Sequence, residues 1–180
     1  MKERQERALI NNSDYGFLNT VPAEQHIQSR AGAPTPDDLD ELLAKVWKGP
    51  SIFLAHPRAI AAFERACTLH GVPPPIATIF GNPFLTWRGV PLVPTNKIHV
   101  KSSDRKMKIL LLRSGERKQG CICLFQPGLP GEVSPGLSVR LMCIGTNALA
   151  SCVVSLYCST SVLTDDAIAA LEGVDVGDLS

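Results

Sequence analysis

Apolar residues recur along this chain with two periods, helical in the first part and strand-like in the second. Leu39, Leu42, Leu43, Val46 and Trp47 fall at i, i+3, i+4, i+7 and i+8, the spacing that lays one apolar stripe along a helix. The flanks agree. Thr35 is a capping residue, Pro36 suits the first helical position, Asp37 and Asp38 favour the positive end of the dipole, and Gly49-Pro50 stops the run. Residues 51–55 then predict a short apolar strand. A second helix is expected over 57–70, capped by His56, with Ile60, Phe63 and Cys67 facing inward and Gly71 as its stop. Residues 1–10 are helix-like, with Glu3 and Arg7 four apart, until Asn11-Asn-Ser-Asp14 interrupts them. Residues 11–35 hold turn formers without a period and predict an extended connector.

After Pro73-Pro-Pro75, a stiff spacer, the pattern turns to strands. Residues 84–87 and 90–93 predict a strand bent at Arg88-Gly89, and 97–108 a basic, polar loop. Residues 109–113 and 121–125 flank a polar hairpin connection, Ser114 to Gly120. Residues 126–136 carry three prolines and three glycines, hence a structured loop. Residues 137–144 and 149–163 can pair across Gly145-Thr-Asn147. A last short helix is expected from Thr164, with Asp165 and Asp166 in its first turn. Helices embedded between strands, followed by an antiparallel meander, make the fold class α+β.

An apolar fraction of 44% against 19% charged residues places the chain among folded proteins and not disordered ones. The net charge is +1 with both signs interleaved, which argues against nucleic acid as a partner, because phosphate binding needs a concentrated basic face. No window approaches the ~18–20 apolar residues of a membrane span. The start, Met-Lys-Glu-Arg-Gln-Glu-Arg, has no signal-peptide core. The expectation is a cytoplasmic protein with no membrane and no nucleic-acid partner.

Candidate chemistry is sparse. Six cysteines (Cys67, Cys121, Cys123, Cys143, Cys152, Cys158) lack metal-site spacing. Cys121 and Cys123, two apart on one strand, share a face. They are read first as buried small apolar residues; the competing reading is a small cytosolic thiol, redox or sulfur-handling protein. Cys67 and His70, three apart on a helix, imitate a Cys–His dyad, but Cys67 lies on the apolar stripe where a thiolate is disfavoured. Among the acids, Asp37 and Asp38 have capping duties, and Asp40 and Glu41 fall on the solvated face. Lys97, Lys101, Arg105, Lys106 and Lys108 stand against Asp104 alone, a solvated loop or else a charged rim at a pore or subunit contact. No phosphate cradle and no nucleophile elbow occurs, so the expectation is no enzyme, no cofactor, no metal and no catalytic residue.

Three blocks carry a resemblance: Phe84-Leu-Thr-Trp-Arg-Gly-Val-Pro-Leu-Val-Pro94, Phe53-Leu-Ala-His-Pro-Arg58 and Pro135-Gly-Leu-Ser-Val-Arg140. With Pro34-Thr-Pro-Asp-Asp-Leu-Asp-Glu-Leu-Leu43, Gln126-Pro-Gly128 and Val162-Leu-Thr164, they make the chain similar to shell proteins of the second family of encapsulins. The similarity is to the 2A-like branch, which has no obvious cyclic-nucleotide-binding domain and includes a sulfur-regulated shell protein and the mycobacterial major membrane protein. The resemblance implies the tailed-phage major capsid (Hong Kong 97-type) fold and a self-assembling icosahedral nanocompartment. The partners it implies are further copies of the chain and an encapsulated cargo enzyme, a cysteine desulfurase. It maps 1–12 to the end of the spine helix, 13–34 to an extended connector, 35–148 to the A-domain, and 149–180 to a returning P-domain strand and C-terminal helix. Family members continue upstream of Met1 with the N-terminal arm, the E-loop and most of the spine helix. The resemblance therefore also implies a truncated shell protein, with its N-terminal half as the missing partner and poor assembly of this chain alone.

Overall fold

The computed structural model describes residues 2–30, 32–79, 81–98, 106–144, 147 and 149–176. Among the described residues the α-helices are α1 (Lys2–Asn11), α2 (Pro36–Lys45) and α3 (Pro57–Leu69). The strands are β1 (His26–Gln28), β2 (Ile52–Ala55), β3 (Ile76–Ile79), β4 (Asn82–Trp87), β5 (Val90–Pro94), β6 (Lys106–Leu112), β7 (Cys121–Phe125), β8 (Glu132–Ser134), β9 (Leu137–Ile144), β10 (Ala150–Leu156), β11 (Cys158–Val162) and β12 (Ile168–Asp175). The chain is α+β, as its pattern indicates.

Seven strands form one mixed sheet in the order β1-β12-β6-β2-β5-β4-β3. β6 lies antiparallel to both β12 and β2, while β1 on β12 and β5 on β2 are parallel. On one face α2 and α3 cover Phe53, Leu92, Ile109, Leu111 and Leu171 with Leu39, Leu42, Val46, Phe63 and Cys67. On the other face Phe17 and Val21 cluster with Leu110, Leu112, Ile168 and Ala170. Burial on both faces explains why 109–112 of β6 and 168–171 of β12 are continuous apolar runs instead of alternating ones.

α2 begins as its composition demands. The Thr35 hydroxyl accepts from Asp38 N, and the Asp38 carboxylate accepts from Thr35 N in a reciprocal capping box. The expected stripe holds for Leu39, Leu42 and Val46 but not for Trp47. The helix ends at Lys45, and Val46 turns out of helical geometry (φ −110°, ψ 50°), so Trp47 loses the register and stands 69% exposed beside Lys48. In α3, Nδ1 of His56 accepts from Arg58 N, the capping role expected of it.

Four further expectations are corrected. Residues 84–93 form a hairpin and not a bent strand: Trp87 pairs with Val90, and the turn residues Arg88 and Gly89 both take positive φ, as a tight two-residue connection requires. The connector 11–35 contains β1, which joins the sheet as an edge strand on β12. Residues 109–113 and 121–125 do not form a hairpin. Both neighbours of β6 are already supplied by β12 and β2, and only the bridge Ser114–Cys121 survives. The expected helix after Thr164 is a single 3-10 turn over Asp165–Ala167, followed by β12. Two-sided burial of Ile168 to Leu171 imposes a strand there, and tertiary context outweighs the capping signal.

Candidate assembly surface

Between β6 and β12 the chain leaves the sheet altogether. The described residues of 121–162 form an arm of two small antiparallel sheets, β11-β7 at its root and β10-β9-β8 beyond. The expected strand over 149–163 is two strands. At Tyr157 the chain stops pairing with β9 and begins pairing with β7, and the Tyr157 amide donates to Gly136 O while its carbonyl accepts from Gln126 N.

Among the described residues no layer covers the outer three-stranded sheet. Its cross-strand pairs alternate faces: Val154 lies opposite Val139, and Val153 opposite Arg140. Apolar side chains are therefore open on both faces, including Val133, Val139, Leu141 (58% exposed), Met142, Ile144 (68% exposed), Val153 and Val154. Leu149 stands exposed just before β10, and Leu124 and Phe125 at the root, where an open hollow of about 460 Å³ is lined by Leu124, Phe125, Leu156 and Tyr157. Clustered apolar exposure of this kind marks interaction surfaces on folded proteins. Sequence reasoning expected the pairing of 137–144 with the strand after it, read 126–136, which holds β8, as a structured loop, and missed this surface. The available signal was that β9 and β10 are apolar or neutral at both parities, with Arg140 as their one charge.

The joint between arm and sheet centres on Arg113, which sequence reasoning also passed over. Its side chain is 1% exposed, at the end of β6. Its Nη2 donates to Thr164 Oγ1 (2.7 Å), Asp166 Oδ1 (2.8 Å) and the Gln119 carbonyl (3.3 Å). Thr164 donates in turn to Gln119 O, and Lys48 Nζ lies 3.0 Å from Asp166 Oδ2. Hydrogen bonds from Arg113, then Thr164 and Lys48, hold the Asp166 carboxyl well below the usual carboxylate range. Gly120 permits the close approach, because a Cβ there would collide with the Arg113 carbonyl oxygen. An arginine closing an otherwise apolar run was the signal, since such a charge must find partners.

The candidate chemical groups do not converge. Cys121 is buried at the arm root while Cys123 is exposed, and burial pushes the Cys121 thiol to about 12 and raises that of Cys123. Cys67 is fully buried, its thiol pushed to about 11 by burial and then by Glu64, while His70 is exposed. Among the described residues no group of three or more His, Cys, Asp or Glu could hold a metal, and no helix is long and apolar enough to cross a membrane. Asp40 is not merely solvated. It accepts from Trp87 Nε1 (2.7 Å) and pairs with Arg88 through two nitrogens, and the Arg88 hydrogen bond outweighs desolvation to lower its carboxyl.

The basic segment is split. Lys101 and Arg105 lie outside the described residues. Lys97 is largely buried, 3.7 Å from Glu3. Lys106 opens β6 and is exposed, and Lys108 pairs at 2.5 Å with Glu172, which also meets His26 and Gln28. Burial pulls the Glu172 carboxyl up, but the Lys108 hydrogen bond and charge, with His26, leave it lowered.

The family model described as type 2A encapsulin shell protein SrpI-like matches residues 1–178. The chain is 61% identical over 176 residues to the type 2A encapsulin shell protein SrpI of Synechococcus elongatus, the match covering 98% of this chain and 57% of that protein. It is 56% identical over 176 residues to the type 2A encapsulin shell protein of Mycolicibacterium paratuberculosis, with the same coverage. In three dimensions it is similar to the cryoEM structure of the holo-SrpI encapsulin complex from Synechococcus elongatus PCC 7942. The TM-score is 0.94 at 59% identity, over 100% of this chain and 64% of that one. The chain thus spans little more than half the length of the curated relatives it matches.

Proposed function

The chain belongs to the type 2A encapsulin shell family, and on that premise we propose that it is a structural subunit that joins with copies of itself into a closed icosahedral nanocompartment. The observation that carries this reading is the arm, a sheet with apolar residues open on both faces and no layer among the described residues to cover them. A surface of this kind is stable in water when neighbouring subunits bury it, and repeated heterologous contacts close into a shell.

The finer assignment follows the tailed-phage capsid fold. Residues 1–12 correspond to the end of the spine helix, 13–34 to the connector, 35–148 to the A-domain and 149–180 to the returning P-domain segment. The basic segment with Lys97, Lys101, Arg105, Lys106 and Lys108 borders a pore or a neighbouring subunit, with the exposed Lys106 available for it and Lys108 engaged by Glu172. The compartment is cytoplasmic and encloses a cysteine desulfurase. The cargo assignment rests on resemblance to the sulfur-regulated branch.

Light scattering after size-exclusion chromatography, with negative-stain microscopy of any large species, tests the reading on this chain and on one extended upstream to the relatives' length. Closed particles from either support it. If both remain monomeric with the arm exposed, the shell function is refuted. Co-purification of a pyridoxal-phosphate-containing desulfurase within the particles tests the cargo.

A further inference from the structure

The arm is joined to the sheet by two connectors, residues 114–120 on departure and 163–167 on return, and one buried side chain ties both. Arg113 Nη2 reaches Gln119 O on the first and Thr164 and Asp166 on the second, while Lys48, just past α2, grips the outer oxygen of Asp166. Arg113 is 1% exposed, and its Nε and Nη1 have no hydrogen-bond partner among the described residues. A buried guanidinium with unused donors destabilises the fold relative to an apolar side chain of similar length. What it supplies instead is direction. Apolar packing at the joint, where Phe17, Cys121 and Val162 cluster, tolerates sliding, whereas a network of charge-assisted hydrogen bonds selects one geometry.

We propose that the chain Arg113–Asp166–Lys48 is a lock that fixes the angle between arm and sheet, and through that angle the curvature at which copies join. The curvature part rests on the shell-subunit reading; the lock itself does not. In an assembly with contacts on both the arm and the sheet, the angle between the two surfaces decides whether and at what size the lattice closes.

Hydrogen exchange read by mass spectrometry tests the lock on the wild type, Arg113→Met, Asp166→Asn and Lys48→Ala. The reporters are the amides of Gly115, Gln119, Gly120 and Leu163, all hydrogen-bonded within the joint. In Asp166→Asn and Arg113→Met they are expected to exchange about tenfold faster or more, while β6 and β12 keep their protection. Lys48→Ala gives a smaller acceleration. Particles formed by the variants are expected to show a shifted or broadened diameter by electron microscopy. Unchanged exchange in folded Asp166→Asn and Arg113→Met overturns the lock, as does equal acceleration throughout β6 and β12, which would make Arg113 a general stabiliser. Should Arg113→Met fail to fold, Asp166→Asn and Lys48→Ala still decide. Loosened connectors with unchanged diameter overturn the curvature part. If neither the wild type nor the chain extended to the relatives' length forms closed particles, the shell reading fails and the exchange result alone judges the lock.

Discussion

Replacing Leu141 and Ile144 together by threonine probes the arm as an assembly surface. Both side chains are already open to water, at 58% and 68% of their full exposure, so the isolated subunit loses little by the change. Threonine keeps the preference for a strand, and subunit stability is expected to stay within about 1 kcal/mol. Contact energy behaves otherwise. Fully burying a leucine or isoleucine contributes ~1.5–3 kcal/mol, so covering the remaining open part of each contributes ~1–2 kcal/mol. Losing both removes ~2–4 kcal/mol from every contact they make, about 30- to 700-fold in its association constant. Light scattering over a concentration series, alongside thermal melting, separates the two effects. The expected result is an unchanged melting temperature and association displaced to concentrations higher by one to three decades. Association at the wild-type concentration would show that these residues are not covered by a neighbour. A large fall in melting temperature would show that the arm is part of the subunit's own core.

Three further outcomes follow from the same geometry. A bulky thiol reagent is expected to label Cys143 and Cys152 rapidly in the folded chain and Cys67 and Cys121 only after denaturation, because burial protects the latter pair and raises their thiols; rapid labelling of Cys121 would reopen the thiol-protein reading. The carboxyls of Asp166 and Glu172 are lowered in the fold, so each stabilises it fully above the unfolded carboxylate range and loses that contribution as pH falls below about 4. Denaturant midpoints should fall over that window, and less steeply in Asp166→Asn; an unchanged slope in that variant would contradict the pairing. Thr35→Ala removes one half of the capping box and is expected to lower stability by about 1 kcal/mol in urea melts, with Thr35→Ser largely restoring it.

Local chemistry was legible where neighbours in sequence are also neighbours in space. The Thr35–Asp38 box, the His56 cap and the inward Ile60, Phe63 and Cys67 all follow from contacts within four residues or from a single amphipathic face. Trp47 misled because periodicity extends a pattern past the residue where the backbone has turned. Of the candidate site, the expectation of inert thiols was readable from Cys67 on its apolar stripe. The arm surface was not, since an apolar strand reads the same whether its cover lies inside the subunit or outside it.

The α+β class, the two main helices with their caps, and membership in a shell family were determined by the order of residues alone, through periodicity, capping chemistry and sequence blocks. Only the tertiary structure decided which strands are neighbours. β6 took β2 and β12 as partners and so expelled β7, and Tyr157 divides one apolar run between two sheets. The same competition turned Ile168 to Leu171 into a strand despite the cap signal before it, and brought Arg113 to Thr164 and Asp166, more than fifty residues away. Strand pairing and buried ion pairs are long-range choices among alternatives of similar local merit, and their outcome depends on which arrangement buries both faces of the central strands.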